Sequence, residues 1–462
     1  MKYLTIIFTI PLYFTLHAKQ NFSTLSSGSN VQSPEMIIFV HGTLKPAEVS
    51  FSNLIKVMRN KIDNSIYCMA AQEIRKDPFF YQSQPIQAEG LQAIDTTSIS
   101  QGARCIKNLY EATYACLGQD TTRLYYTFGW DGLLSPQRRY KAAKKLYKEL
   151  YQELEKLAKK NIIPKITIIA FSHGANVVLN LAAVKLDDPI LYHLPKNFFI
   201  TNLVLLGAPI QKATDYLTHD PFFKNIINIY STADKIQSMD IFMPRQLFSQ
   251  QYFTSRKNLP LADKITQIRL RITGDFKKKH RKLHSDEILL HDIENQIIKS
   301  IHQDPGHTEL WNFKWGAYWY RDTFPLNPLP SVILVPIIMH TIENYDLEKK
   351  HFTFDYLAPY GGAYIYEKKE KKNFIPLLSA ECIEKLKTIA QQHFPQEYTL
   401  AEQQKRVGII LNKVRKTRKD LKLKNKQLLA YCNQSLLTNK RTLYHFPYRQ
   451  KLAHAHLLRS EF

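Results

Sequence analysis

The chain has 462 residues, of which 44% are hydrophobic and 12% are aromatic. This apolar content excludes a globally disordered chain, and 15 glycines and 22 prolines are too few for a collagen-like or low-complexity protein. The 63 lysines and arginines outnumber the 40 aspartates and glutamates, and the resulting net charge of +23 indicates an anionic partner or a basic tail.

The first residues combine a single basic side chain with an apolar run. Lys2 precedes apolar residues that extend to about Leu16, and the following His17 and Ala18 complete a segment that resembles a small-residue cleavage site. The run is too short for a membrane-spanning helix. We predict that residues 1–18 form a secretory signal peptide and that the protein is exported; the alternative is a buried first strand or helix.

The five cysteines cannot form a dense disulfide framework, because their number is odd and small. Export would permit a disulfide bond, and a local bridge between Cys105 and Cys116 is compatible with their spacing. The other three cysteines, Cys68, Cys382 and Cys432, show no metal-binding spacing. No metal site and no cofactor are predicted.

Short apolar segments alternate with helical patterns through the first two thirds of the chain. Each segment ends in small or polar residues, which predicts a buried parallel sheet in an α/β domain with its chemistry beyond the carboxyl ends of the strands. Amphipathic or apolar spacing predicts helices over Tyr140–Ala158 and Ala175–Val184. The predicted strands are Met36–Val40, Leu124–Phe128, Ile166–Phe171, Leu203–Leu206, Ile226–Tyr230 and Ile268–Ile272.

Two regions do not fit this alternation. Residues 44–122 separate the first two strands by far more than an ordinary connection, which indicates an insertion that acts as a lid or a substrate-binding element. Residues 321–400 are rich in tyrosine, proline and lysine, and we expect an appended segment outside the sheet. Within it, Pro330–Met339 is strongly apolar but too short to cross a bilayer, so we expect it to be buried.

Residues 401–462 carry 15 lysines and arginines but three acidic residues, which accounts for +12 of the net charge. Apolar residues recur among the charges at helical spacing, and this pattern predicts a basic amphipathic helix over 405–426. Three interpretations remain open: a solvated helix face, contact with an anionic lipid or envelope surface, and nucleic-acid binding, the least favoured of the three. The apolar positions are Val407, Ile410, Leu411, Val414, Leu421 and Leu428.

The third predicted strand runs directly into Ala170–Ala175 (AFSHGA), and a helix follows at once. This is the setting of a nucleophile elbow, a sharp strand-to-helix turn that presents a serine hydroxyl above the sheet. Small residues are needed two positions before and after Ser172, because strand and helix crowd together there, and Ala170 and Gly174 supply them. The helix N-terminus also favours developing negative charge at Ser172.

Four segments in this order resemble the lipase-like serine esterases of the α/β-hydrolase superfamily. They are Phe39–Thr43 (FVHGT), Ile168–Gly174 (IIAFSHG), Leu205–Pro209 (LLGAP) and Tyr230–Asp234 (YSTAD). The resemblance covers roughly residues 36–320 and implies a hydrolase domain over 19–320. It also implies a triad in the chain order serine, acid, histidine.

Carried over position by position, the resemblance makes Ser172 the nucleophile, Asp234 the acid and His307 the base. Asp234 follows the Ile226–Tyr230 strand, and Asp240 is a weaker rival because it lies farther from the strand end. His307 lies in a turn-rich loop after the last predicted strand. The rival histidines are His284, His291, His302 and His340, of which His291 and His302 lie in what we predict to be a helix.

The same resemblance implies an oxyanion hole formed by the backbone N–H groups of His173 and Thr43. His41, at this loop, is expected to be structural. Residues 129–132 (GWDG) either line the cleft or form a turn that packs an aromatic ring on the sheet edge. Residues 311–315 (WNFKW) either form an apolar wall of the acyl pocket or belong to the core.

These expectations favour an exported serine hydrolase that acts on a lipid or other acyl ester through an acyl-serine intermediate. A thioesterase or an amidase would share the same machinery. The alternative from another class is a catalytically inactive binding protein on a hydrolase scaffold, associated with the cell envelope through its basic tail.

Overall fold

A computed structural model describes the chain in ranges separated by gaps, and the predicted signal peptide, residues 1–18, lies outside them. The described residues are 33–43, 65–82, 84–95, 100–187, 198–234, 249–275, 288–293, 296–313, 324–345, 347, 350–367, 370–371, 374–393 and 400–438.

The described helices are α1 (Ile66–Lys76), α2 (Gln101–Cys116), α3 (Pro136–Ala158), α4 (Gly174–Asp187), α5 (Leu334–Asn344), α6 (Ala380–His393) and α7 (Leu400–Thr438). The described strands are β1 (Glu35–Val40), β2 (Gly90–Ala93), β3 (Arg123–Gly129), β4 (Lys165–Phe171), β5 (Ile200–Leu206), β6 (Ile210–Gln211), β7 (Phe223–Tyr230), β8 (Ser249–Gln250), β9 (Ile265–Asp275), β10 (Ile288–Ile293), β11 (Gln296–His302), β12 (His351–Leu357), β13 (Gly362–Glu367), β14 (Glu370–Lys371) and β15 (Ile375–Pro376).

Most of these strands form one central sheet, in the order β14-β13-β12-β9-β7-β5-β4-β1-β3-β2. From β3 through β12 every described pairing between neighbours on this path is parallel, whereas β2, β13 and β14 pair antiparallel at the two edges. The prediction of an α/β protein with a mostly parallel sheet is therefore confirmed.

Helices cover both faces of the sheet, because side chains alternate between the faces along each buried strand. In β1, Met36, Ile38 and Val40 belong to the core layer under α3 and α4. Ile37 and Phe39 belong to the opposite layer, under α2, α5 and α6. The six predicted strands are all present, and their carboxyl ends lie along one edge of the sheet.

The expectation that residues beyond about 320 lie outside the sheet is wrong. Strand β12 pairs in parallel with β9, and β13 continues the sheet on its far side. Pro330–Met339 is buried as expected, in a short 3₁₀ turn and the start of α5. His291 and His302 lie in strands β10 and β11 rather than in a helix.

The predicted insertion over 44–122 also contributes to the body of the fold. Strand β2 pairs with the edge of β3, and α2 buries its apolar side against the sheet. Residues 44–64 lie outside the described residues, so the predicted lid or substrate element is not described there.

The structure corrects the suggested Cys105–Cys116 disulfide. Both residues belong to α2, where eleven residues of helix separate their Cα atoms by roughly 16 Å, far beyond the reach of a disulfide bond. Cys116 instead pairs with Cys382 of α6, with a Cα–Cα distance of 5.9 Å, while Cys105 is a buried free thiol. The bridge therefore joins two helices on the same face of the sheet.

Candidate active site

The turn between β4 and α4 holds Ser172 in an unusual backbone conformation. Its φ angle is +50°, in the left-handed region that residues other than glycine rarely adopt. The Ser172 N–H donates to the carbonyl oxygen of Leu206 on the neighbouring strand, at 2.9 Å. The turn is thus held from the next strand and presents the serine side chain beyond the end of β4.

Glycines allow the chain to pack closely around this turn. A Cβ atom at Gly174 would lie 2.4 Å from the backbone oxygen of His41 and 2.8 Å from that of Val40. A Cβ atom at Gly42 would lie 2.7 Å from the Cβ of Ser172. The loop after β1 therefore passes directly against the serine, and neither glycine has room for a side chain.

His307 connects Ser172 to Asp234. Its Nε2 lies 2.9 Å from the Ser172 Oγ, and its Nδ1 lies 2.7 Å from the Asp234 Oδ2. An ionised carboxylate can only accept, so in that state Nδ1 carries the proton and Nε2 faces the serine hydroxyl as an acceptor. Ser172 is 5% exposed and Asp234 is 1% exposed, so the chain of hydrogen bonds is largely shielded from water.

Tight packing surrounds the imidazole of His307. The centroid of the Phe171 ring lies 4.8 Å from that of the imidazole. The Phe171 ring also stacks on the Trp311 ring, with 5.3 Å between their centroids. Gly207 has a φ of +53°, and a Cβ atom there would lie 3.0 Å from the Asp234 Oδ2. The Asp234–His307 pair therefore has little freedom to move.

The loop that carries His307 is tied to the loop that carries Asp234. The Thr232 hydroxyl donates to the Asp304 Oδ2 at 2.8 Å, and the Arg269 Nη2 donates to the Thr232 Oγ1 at 3.1 Å. Arg269 also lies 3.6 Å from the Asp304 carboxylate. We refer to these three residues as the loop clamp, because they join two loops that are distant in sequence.

The two residues predicted to form the oxyanion hole lie next to Ser172. His173 follows the serine, and Thr43 follows Gly42, whose packing against Ser172 was described above. Within the described part of the chain, neither the His173 N–H nor the Thr43 N–H donates a hydrogen bond. No acceptor in the described part of the chain therefore occupies these two N–H groups, and both can bind a negatively charged oxygen.

The side chain of His173 is buried beside a buried arginine. The Arg139 Nη1 lies 3.2 Å from the His173 Nδ1. Because a guanidinium only donates, the His173 Nδ1 accepts and its proton resides on Nε2. Burial, followed by the charges of Arg139 and His307, lowers the pKa of His173 well below its usual value, so this ring is neutral.

His41 fixes the loop after β1. The Trp130 N–H donates to its Nε2 at 3.1 Å, which leaves its Nδ1 to donate to the Gly42 oxygen at 2.7 Å. The Trp130 indole N–H donates to the His41 backbone oxygen at 2.8 Å, and burial lowers the pKa of His41 well below its usual value. This network agrees with a structural role for His41 and with the turn-packing interpretation of residues 129–132.

The rival residues occupy other positions or lie outside the described residues. His340, on α5, is within hydrogen-bond distance of Gln119 and Asn344. Among the described residues, the histidine within hydrogen-bond distance of the Ser172 Oγ is His307, rather than His340 or His302. Asp240 and His284 lie outside the described residues, as does the side chain of His291. In the aromatic segment, Trp311 and Phe313 belong to the core, while residues 314 and 315 are not described.

Sequence reasoning assigned no role to the loop clamp, to Gly207 or to Arg139, although Gly207 and Thr232 lie within the motifs quoted above. Arg139 had a detectable signal, because it occupies the apolar face of α3 three, four and seven residues before Ala142, Ala143 and Leu146. A basic residue at such a position is expected to have a buried polar partner. Thr232 and Asp304 carried no comparable pattern.

Among the described residues, no group of three or more His, Cys, Asp or Glu side chains is arranged to hold a metal ion. No helix in the described ranges is both long and apolar enough to cross a membrane. A scan against models of known protein families finds none that matches this chain, and a search of curated proteins finds no relative.

Proposed function

We propose that this protein is an exported serine hydrolase with an α/β-hydrolase fold, which cleaves a carboxylic ester of a lipid or another acyl compound. The observation that carries the proposal is the bridge formed by His307, 2.9 Å from the Ser172 Oγ and 2.7 Å from the Asp234 Oδ2. A serine, a histidine and a buried carboxylate in this contact can activate the hydroxyl for attack on a carbonyl carbon.

In the first half of the reaction, the His307 Nε2 accepts the proton of Ser172 while the serine oxygen bonds to the ester carbonyl carbon. Asp234 holds the imidazole in the required tautomer and stabilises the imidazolium that forms. The histidine then gives this proton to the departing alcohol, which leaves an acyl group on Ser172.

The tetrahedral intermediate places a negative charge on the former carbonyl oxygen. The backbone N–H groups of His173 and Thr43 are the proposed donors to this oxygen, assisted by the N-terminus of α4. Loss of one such donor typically costs about 3 kcal/mol of transition-state stabilisation. In the second half, water replaces the serine by the same steps and releases the acid.

The proposal is tested by measuring hydrolysis of a panel of p-nitrophenyl esters. A thioester and an anilide of the same acyl group are included to distinguish an esterase from a thioesterase or an amidase. We expect turnover of esters that is lost in Ser172→Ala and in His307→Ala. Ser331→Ala is the matched control, because the Ser331 hydroxyl is also buried and has no hydrogen-bond partner among the described residues. Unchanged turnover in Ser172→Ala, or no turnover by folded wild-type protein, would favour the inactive binding protein instead.

Export belongs to the same proposal and rests on residues 1–18. The Cys116–Cys382 bridge supports it, because disulfide bonds persist mainly in oxidising compartments. Expression of the full chain in a secreting host, followed by mass spectrometry of the N-terminus, is expected to show a mature protein that begins after Ala18. A secreted or cellular product that still begins at Met1 would contradict this expectation.

A further inference from the structure

The basic helix α7 divides into two parts with different surroundings. In its first part, four apolar residues pack on Ala70 and Ile74 of α1. Ion pairs between Lys413 and Glu73, at 2.6 Å, and between Arg406 and Asp77, at 3.2 Å, flank this contact. The four apolar residues are Val407, Ile410, Leu411 and Val414.

The apolar stripe resumes beyond the contact with α1, interrupted by Arg418 and Asn425, and its leucines are no longer covered. At 100° per residue, Leu421, Leu428 and Leu429 lie within about 60° of the direction of Val407. Their exposed fractions are 46%, 52% and 63%, whereas Val414 is 2% exposed. Leu423 is also exposed, but it lies on the opposite side of the helix and is not part of the stripe.

Positive charge surrounds the uncovered stripe. Between residues 416 and 430 the only acidic residue is Asp420, and every residue in this part except Arg418 is exposed. We call residues 416–430 the basic segment of α7. Its cations are Lys416, Arg418, Lys419, Lys422, Lys424 and Lys426.

We propose that the basic segment is a docking surface for an anionic lipid bilayer, with the stripe leucines entering the interface and the cations binding lipid headgroups. Charge complementarity selects this occupant. Two copies of a segment with six cations and one carboxylate would repel each other, which disfavours a dimer. Nucleic acid would satisfy the cations but would leave the leucines exposed.

The contact with α1 gives this surface a fixed attachment to the rest of the protein. The covered residues of α7 are also part of the core beside α1, so deletion of the whole helix would expose Ala70 and Ile74. Substitutions confined to the basic segment avoid this problem, because none of the described contacts with α1 involves residues 416–430.

The test is cosedimentation of the full protein with vesicles of phosphatidylcholine alone or mixed with phosphatidylglycerol, at low and at raised salt. One variant replaces Lys416, Lys419, Lys422 and Lys426 by Gln. Its matched control replaces four exposed lysines of and after α3, namely Lys141, Lys148, Lys159 and Lys160, so that both variants have the same net charge. A third variant, Leu421→Ser/Leu428→Ser/Leu429→Ser, removes the stripe and keeps every charge.

We expect wild-type protein to bind the anionic vesicles, bind the neutral vesicles weakly, and dissociate as salt rises. The four-lysine variant of α7 is expected to bind at least about tenfold more weakly, since each cation near an anionic surface contributes on the order of a fivefold gain. The α3 control should bind like wild type, and the leucine variant should lose affinity at unchanged net charge.

Three results would overturn the proposal: no preference for anionic vesicles, equal losses in the α7 and α3 lysine variants, or unchanged binding after removal of the leucines. Tighter binding of a DNA duplex that is indifferent to the leucines would assign the segment to nucleic acid instead. Ser172→Ala should bind vesicles like wild type, so the outcome is independent of the proposed hydrolase activity.

Discussion

The turn at Ser172 and the basic segment of α7 differ most clearly in burial. At the turn, the side chains of the proposed triad are largely buried, and glycines are required because backbone and side-chain atoms lie where a Cβ would be. In the basic segment, the leucines and the lysines are exposed, and a Cβ atom at Gly408, in the preceding part of the helix, would meet nothing within 4 Å.

This difference determines how each region responds to change. A function built on packed, hydrogen-bonded groups depends on tenths of an ångström, so single substitutions should have large effects. A function built on exposed charges depends on their number, so its changes should be graded and sensitive to salt. The following predictions test this contrast.

The largest effect is expected from Asp234→Asn. The amide retains the shape of the carboxylate but favours the wrong tautomer of His307 and no longer stabilises the imidazolium, so kcat should fall by roughly 10⁴. Asp355→Asn is the matched control, because Asp355 is also fully buried and makes no hydrogen bond to His307. Steady-state kinetics with an ester substrate would measure this, and similar kcat values for the two variants would contradict it.

A pair of glycine substitutions compares the turn at Ser172 with helix α7, at a position just before its basic segment. Gly174→Ala places a Cβ against the backbone of β1 and its loop, and should lower the free energy of unfolding by about 3 kcal/mol. Gly408→Ala fills empty space in a helix and should raise that free energy by up to about 1 kcal/mol. Urea denaturation would measure both, and a Gly174→Ala protein as stable as wild type would refute the close packing at the turn.

The buried histidines predict a dependence of stability on pH. Burial lowers the pKa values of His41 and His173 in the folded protein, so below about pH 6.5 the unfolded chain binds more protons than the folded one. The free energy of unfolding should therefore decrease on acidification by about 1.4 kcal/mol per pH unit for each histidine.

Denaturation curves of wild type and His173→Gln between pH 7.5 and pH 5.5 would isolate the contribution of one ring. The variant should show a shallower loss of stability below about pH 6.5, smaller by about 1.4 kcal/mol per pH unit. Parallel stability profiles for the two proteins would show that His173 is not held neutral.

The smallest effect is expected at the loop clamp. Thr232→Val removes the hydroxyl that donates to Asp304 and accepts from Arg269, so the loop with His307 should be positioned less firmly. We expect a fall in kcat of about fivefold, which corresponds to about 1 kcal/mol, with little change in KM. Thr218→Val, which also removes a buried hydroxyl, should leave kcat unchanged because its bond is to the backbone of Asp215.

The parts of this molecule that could be predicted from sequence share one physical basis. Buried parallel strands are continuous apolar runs, and the residues that follow them meet at one sheet edge. The choice of Ser172, Asp234 and His307 among those residues came from the resemblance to lipase-like serine esterases. The structure places these three side chains in contact, although their loops are separated by up to 135 residues in sequence.

Other features depend on distances that no local pattern encodes. The Cys116–Cys382 bridge spans 266 residues, and β12 has a polar and aromatic sequence that does not resemble the other parallel strands. The stripe of α7 recurs on one side of the helix from Val407 to Leu428, interrupted by Arg418 and Asn425. It is covered only where α1 lies beside it, and the position of α1 is a property of the tertiary structure.

The most direct measurement is to treat the folded protein with a fluorophosphonate probe and locate the adduct by peptide mass spectrometry. The account predicts a single modified residue, Ser172, with the modification abolished in Ser172→Ala and strongly reduced in His307→Ala. An adduct on another serine, or labelling of Ser172 that is unaffected by loss of His307, would contradict it.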